Sequence, residues 1–226
     1  MSEGSSTSEH VRVTIAEGIA GVTLSRPEKR NALTPQMWAA VVEGLRSAKA
    51  DSSVRALVVT GEGGSFSAGA DLDFVKGTDG RPSPEYSTIA FDGLNAIADF
   101  PRPTLARIEG HCIGAGVNIA LACDVRFTTP DSTFAIPAAR RGLVYDNRSI
   151  TRLIELTGPG QASRLLYSGA TISGCEAARI GLAEVSSDDL SACVDAYVTA
   201  VLAGGADAIT LTRDRIRGGV HGGYHS

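Results

Sequence analysis

A chain of 226 residues, 43% hydrophobic and 20% charged, has ordinary globular composition and enough length for one well-packed core. A net charge of −4 gives no basis for a nucleic-acid or membrane-surface partner, and no apolar run approaches the roughly 20 residues needed to cross a bilayer. The four cysteines, Cys112, Cys123, Cys175 and Cys193, are widely spaced without a C-x-x-C pair, which argues against a zinc site and a disulfide scaffold and for buried thiols in a reducing cytoplasm.

Residues 1–10 are Ser/Glu-rich with no basic start and no apolar h-region, so they are expected to form a disordered lead rather than a signal peptide. Val11 to Ile15 and Ile19 to Leu24 flank Glu17-Gly18 and predict a hairpin. Thr34-Pro35 supplies an N-cap and a first-turn proline, and Met37, Trp38, Val41, Val42, Leu45 and Ala48 share one face of a helix ending near Ala50. Val54 to Thr60 reads as a buried strand, Lys76 to Pro84 as a surface loop, and Pro84 to Phe100 as a helix stopped by Pro101 and Pro103. Thr104 to Glu109 is the next strand, Ala115 to Cys123 a buried helix, and Val125 to Thr129 a further strand. Helical stretches follow near Asn147 to Leu156, Pro159 to Tyr167, Ser173 to Ile180, Asp188 to Leu202 and Ala206 to Arg217. Strands alternating with helices predict an α/β fold with parallel strands.

Two loops of small residues stand out, Gly61 to Leu72 and Glu109 to Asn118, each after a strand-like run. Small side chains leave backbone N–H groups open to a ligand, and two such loops aimed at one point would make an oxyanion hole. Two motifs come close without matching. Ser65-Phe66-Ser67-Ala68-Gly69 has serine where a G-x-S-x-G nucleophile elbow needs its first glycine. Gly114-Ala115-Gly116-Val117-Asn118-Ile119 has isoleucine where a dinucleotide fingerprint needs Gly or Ala.

Several segments in order resemble the crotonase superfamily, the enoyl-CoA hydratase/isomerase family: Ser25 to Leu33, Phe66 to Leu72, Gly114-Ala115-Gly116 with Ala120 to Arg126, Phe134, Arg141-Gly142-Leu143, Leu165 to Gly169 and Ala177 to Ala183. The resemblance covers most of the chain. It implies a crotonase-like spiral of ββα units over residues 11–187, with a short helical C-terminal region over 188–226. It also implies an acyl-CoA ligand, with coenzyme A part of the substrate and no separate cofactor, and a homotrimer or hexamer. By the family pattern the oxyanion amides belong to Ala70 and Ala115. Backbone around Ala68, Ala70 and Leu72 would meet the adenine, and Lys29 or Arg30 the phosphates.

The departures bear on the chemistry. Where the hydratases carry two glutamates that activate water and deliver a proton, this chain has Asn118 and Ala138, neither able to act as a general base. Asp146, eight residues past Ala138, matches a position where some members, including dienoyl-CoA isomerases, carry a catalytic aspartate. It also precedes a helix start, where Asp is a preferred N-cap. Asn118 is expected either to line the acyl pocket or to satisfy a core neighbour, His111 to be structural, and Asp124 to tie down backbone amides. After Arg217 the chain runs out in a Gly/His-rich tail, so the acyl-pocket lid is expected to be shortened. The reading that results is an acyl-CoA-binding, enoyl-CoA hydratase/isomerase-like protein of fatty acid metabolism in the cytoplasm, with isomerase or other enolate chemistry through Asp146 favoured over hydration. The alternative is a non-catalytic acyl-CoA binding or carrier protein.

Overall fold

The computed structural model describes residues 4–75 and 83–218. In chain order the strands are β1 (Gly4–Ser8), β2 (Val11–Ala16), β3 (Ile19–Leu24), β4 (Ala56–Gly61), β5 (Thr104–Ile108), β6 (His111–Ile113), β7 (Val125–Thr128), β8 (Thr133–Ala135), β9 (Ile172–Ser173) and β10 (Val185–Ser186). The helices are α1 (Pro35–Ala50), α2 (Leu72–Val75), α3 (Pro84–Ala98), α4 (Ala115–Ala122), α5 (Asn147–Ser168), α6 (Gly174–Arg179), α7 (Leu190–Ala203) and α8 (Ala206–Arg217).

One sheet runs β1-β2-β3-β4-β5-β7-β10, antiparallel at its first two joints and parallel from β3 onward; a small second sheet runs β6-β8-β9. The hairpin, the main helices and the parallel strands arise where the periodicity predicts them. Strands β8, β9 and β10 and the short α2 have no counterpart among the expected elements, and three expectations differ. Gly4–Ser8, expected to be part of a disordered lead, pairs along β2 from Gly4↔Ile15 to Ser8↔Val11, because the edge of β2 offers unpaired N–H and C=O groups that even a Ser-rich segment satisfies. His111–Ile113, expected within a loop, is a strand paired with β8. Cys112 and Cys123 are buried as expected, but Cys175 is exposed and Cys193 half-buried. The surface loop expected from Lys76 lies, over residues 76–82, outside the described residues, as does the tail beyond residue 218.

Thr34 caps α1 by accepting the Met37 N–H at 3.2 Å, and the helix turns Met37, Trp38, Val41, Leu45 and Ala48 into the core. The fully buried Trp38 donates its indole N–H to Tyr86 Oη at 3.2 Å, which itself donates to the Leu33 carbonyl at 3.0 Å. A polar tip thus finds a partner inside an apolar interface between α1 and α3. A Cβ on Gly93 would lie 2.3 Å from the Trp38 ring, so α3 approaches this closely only with glycine there. The α5 stretch is two helices broken at Gly158 (φ 75°), where Pro159 starts the second.

The C-terminal α8 is tied back by charge. Asp124 accepts from Arg213 Nε at 2.7 Å and Arg217 Nε at 2.6 Å, and from the backbone and hydroxyl of Thr104 at 2.8 and 3.1 Å. Asp124 thus secures a backbone amide, as expected, and anchors a helix as well. Burial disfavours its ionised form, but the Arg217 and Arg213 guanidiniums outweigh that and hold the carboxyl below its ordinary 3.8. A depressed folded-state pKa contributes stability that is present above the unfolded value of about 4 and lost as pH falls through the folded one. Asp124→Asn leaves Arg213, only 8% exposed, with no carboxylate nearer than the exposed Asp214 at 3.9 Å. It is expected to cost about 3–5 kcal/mol where the pair stays dry, seen as faster amide exchange along α8 and a lower melting temperature, with the deficit shrinking below about pH 4.

Candidate functional site

Strands β4 and β5 are parallel neighbours paired from Leu57↔Thr104 to Thr60↔Arg107, so the loops that follow them emerge side by side at one end of the sheet. That is where open α/β sheets place ligands. The first loop is held by the segment before α1. Buried Asn31 accepts the Arg26 N–H at 2.7 Å and donates to the Glu62 and Ser65 carbonyls at 2.9 and 2.6 Å. Arg26 pairs with Asp71 at 2.5 Å, both largely buried. Burial opposes ionisation of Asp71, yet the bonded Arg26 keeps its carboxyl below the ordinary range. The Ala68 N–H donates to the Arg30 carbonyl at 2.8 Å, and the Ser67 hydroxyl donates to the Asn31 carbonyl at 2.8 Å while accepting the Gly69 N–H at 3.1 Å. With its oxygen so committed and the side chain fully buried, Ser67 is no nucleophile.

The two loops are bonded to each other. Phe66 N–H donates to Glu109, Ser67 N–H to His111, and Ile113 N–H to Ser67, all within 2.7–2.9 Å. A Cβ placed on Gly69 would stand 2.7 Å from the Ile113 carbonyl and 3.4 Å from the Ala115 nitrogen, and φ there is +96°, so glycine is required twice over. This contact sets Ala70, the next residue, beside the start of α4. The Ala70 N–H has no hydrogen-bond partner among the described residues, because its neighbours Gly69 O and Asp71 N take the bridge to Leu33. At α4 the cap position is Gly114 (φ 53°, ψ −113°), which offers no side chain to the first-turn amides. Ala115 N–H is likewise unpartnered among the described residues, at a helix end whose dipole favours negative charge.

One turn along α4 is Asn118, whose N–H donates to the Gly114 carbonyl at 3.1 Å. Its side-chain Oδ1 is buried with no partner among the described residues, so it satisfies no core neighbour. Asp146 caps α5, Oδ1 accepting the Ser149 N–H at 2.8 Å, while its Oδ2 is buried and unpartnered. Cap and available carboxylate oxygen therefore coexist in one residue. Asn118 and Asp146 both line a cavity of about 950 Å³ between α3, α4, α5 and α8, with Phe91, Leu94, Leu121 and Ile216 among its apolar walls. Of the other carboxylates on that wall, Asp124 is held by Arg213 and Arg217, and Glu155 pairs with Arg152 at 3.2 Å.

Asn118 and Asp146 share the cavity wall, while Ala68, Ala70 and Ala115 lie on the two bonded loops, joined to that wall through α4 and not themselves lining it. Ala138 starts the turn Ala139–Arg141 and packs half-buried on the core, away from the cavity wall. Lys29 and Arg30 are exposed in the tight turn whose carbonyl holds Ala68, and Leu72, also exposed, opens α2. His111 has a structural partner, its Nδ1 lying 2.8 Å from Thr133 Oγ1. Three scaffolding elements escape a reading of the sequence: the Asn31 clasp, the Arg26–Asp71 pair, and buried Tyr145, whose hydroxyl donates to the Gly114 carbonyl at 2.6 Å. Apart from the Arg26 N–H bond to Asn31, five positions away, these bonds join residues 31 to 45 positions apart, and no local pattern announces them.

Residues 14–208 match the family model described as enoyl-CoA hydratase/isomerase. The chain is 36% identical over 173 residues to the probable enoyl-CoA hydratase echA6 of Mycobacterium tuberculosis, covering 76% of this chain and 69% of that one. It is 33% identical over 201 residues to the mitochondrial Delta(3,5)-Delta(2,4)-dienoyl-CoA isomerase of Mus musculus, covering 83% and 62%. Among solved structures, a protein of Thermobifida fusca YX in complex with CoA superposes with a TM-score of 0.80 at 34% identity, over 90% of this chain and 82% of that one. An enoyl-CoA hydratase/isomerase family protein of Hyphomonas neptunium gives a TM-score of 0.87 at 29% identity, over 92% and 81%. The spiral of parallel strands and helices, the paired loops after β4 and β5, and these matches together establish that the chain belongs to the enoyl-CoA hydratase/isomerase family, with the crotonase fold.

Proposed function

We propose that the chain binds an acyl-CoA thioester with its carbonyl oxygen between the Ala70 and Ala115 amides, and moves a proton on the acyl chain with Asp146. The observation that carries this reading is the pair of unpartnered N–H groups on two loops bonded to one another. Donors held rigidly where charge develops stabilise an enolate without reorganising. The Asp146 Oδ2 takes a proton from the α or γ carbon, the electron pair spreads onto the thioester oxygen, and the same oxygen returns the proton at the other carbon. That sequence shifts a double bond and adds no water. Hydration in its two-glutamate form has no equivalent, since Asn118 and Ala138 hold those positions. The acyl chain enters the cavity past Asn118, and Lys29, Arg30 and the Ala68 and Leu72 backbone receive the nucleotide; the CoA complex of the Thermobifida relative supports CoA as the ligand class.

The loss of both glutamates also supports a second reading, a non-catalytic acyl-CoA binding or carrier protein. Incubation with a panel of enoyl-CoA and dienoyl-CoA esters in heavy water, followed by mass spectrometry, separates the two. Deuterium incorporation or double-bond migration without mass gain of water is the expected result. Binding with no exchange favours the carrier, full hydration shows that another group replaces the glutamates, and absence of binding overturns both readings.

A further inference from the structure

The geometry points to Tyr145 as the residue that sets the strength of the oxyanion donor at Ala115, through the peptide unit that Gly114 and Ala115 share. This rests on the acyl-CoA reading above and adds to it a positioning residue. The Gly114 carbonyl and the Ala115 N–H belong to one planar trans amide, so they point in opposite directions from the same bond system. Tyr145 Oη donates to that carbonyl at 2.6 Å, and the Asn118 N–H donates to it at 3.1 Å. On the other side, the Gly114 N–H donates to the Ala135 carbonyl at 2.9 Å, anchoring the preceding peptide to β8.

Two consequences follow from bonding the carbonyl. The peptide plane is fixed, although Gly114 lies at φ 53° and ψ −113°, where nothing within 4 Å of a built Cβ would hold it by packing. A donor on the carbonyl oxygen also withdraws charge along the amide, making the opposite N–H a stronger donor, the usual cooperativity of linked hydrogen bonds. The chain from Tyr145 O–H through the Gly114 carbonyl to the Ala115 N–H thus ends on the thioester oxygen. Tyr145 is 8% exposed, and burial pushes its phenol well above its ordinary range, so the hydroxyl stays protonated and a donor. It is also the residue before Asp146, so one short segment, itself fixed by the cap on Ser149, carries both the support for the oxyanion amide and the carboxylate oxygen.

The test uses the full chain, with [1-13C]butyryl-CoA and [1-13C]octanoyl-CoA as probes. The infrared stretch of the bound thioester carbonyl and the rate of α-proton exchange in heavy water are both read. In the wild type the carbonyl band should shift to lower frequency on binding. In Tyr145→Phe the shift should shrink and the maximal exchange rate should fall roughly threefold to tenfold, the worth of one neutral hydrogen bond, with KM within about twofold. Site-specific replacement of Tyr145 by 3-fluorotyrosine, which keeps the ring and sharpens the donor, should enlarge the shift, and it serves even where the Phe variant folds poorly. A carbonyl band unmoved by either substitution, or a raised KM with the maximal rate intact, overturns the role of Tyr145 while the acyl-CoA reading stands. No band shift with either probe in the wild type overturns both.

Discussion

Ala115→Pro is expected to lower the rate of acyl-CoA α-proton exchange by about 10²–10³-fold, the cost of deleting one oxyanion donor. Proline suits this position structurally. Ala115 is the first residue of α4, its N–H makes no bond within the protein, and proline is preferred at such a first turn. The residue before a proline must avoid the α region, and Gly114, with ψ at −113°, already does. The Gly114 carbonyl keeps its bond to Tyr145. Stability should therefore change by less than about 1 kcal/mol, so that a well-folded variant is left with one donor removed. A variant that melts like the wild type and exchanges protons at the wild-type rate would exclude Ala115 as an oxyanion donor.

Asp146→Asn is expected to lower exchange or isomerisation by about 10²–10⁴-fold, the range a positioned acid or base supplies. Asparagine is as good an N-cap as aspartate, so the bond from the Ser149 N–H survives and the start of α5 stays in place. Asp146→Ala removes that bond as well and should cost about 1 kcal/mol of stability on top of the rate loss. The pair of variants thus separates the two oxygens of one carboxylate: Oδ1 through the melting temperature, Oδ2 through the rate. Undiminished turnover in Asp146→Asn would remove Asp146 from the chemistry and leave it a helix cap alone.

The elements with strong local signals are legible in the sequence. Thr34-Pro35 ahead of a periodic apolar face specifies α1, and the β-branched run before Gly61 specifies β4, because capping and burial act between residues a few positions apart. The strand Gly4–Ser8 was not, since a Ser/Gly segment has no propensity of its own and takes its pairing from the exposed edge of β2. Nor was β6, three residues long, which exists because Phe134 and its neighbours in β8 offer it a ladder. At the candidate site positions 70, 115, 118, 138 and 146 are singled out by the resemblance to the family, which implies glutamates where this chain has Asn118 and Ala138.

The sequence alone therefore determines the fold and the family, which depend on residue identity and order. Only the tertiary structure decides that Gly69 stands against the Ala115 nitrogen, that Asp146 keeps its second oxygen buried and unpartnered among the described residues, and that Tyr145 bonds the Gly114 carbonyl. The Tyr145 and Gly69 contacts join positions 31 and 46 residues apart, where proximity follows from the parallel alignment of β4 and β5 and the packing around it. Distance in space between such residues is set by the whole core, and no window of sequence contains it.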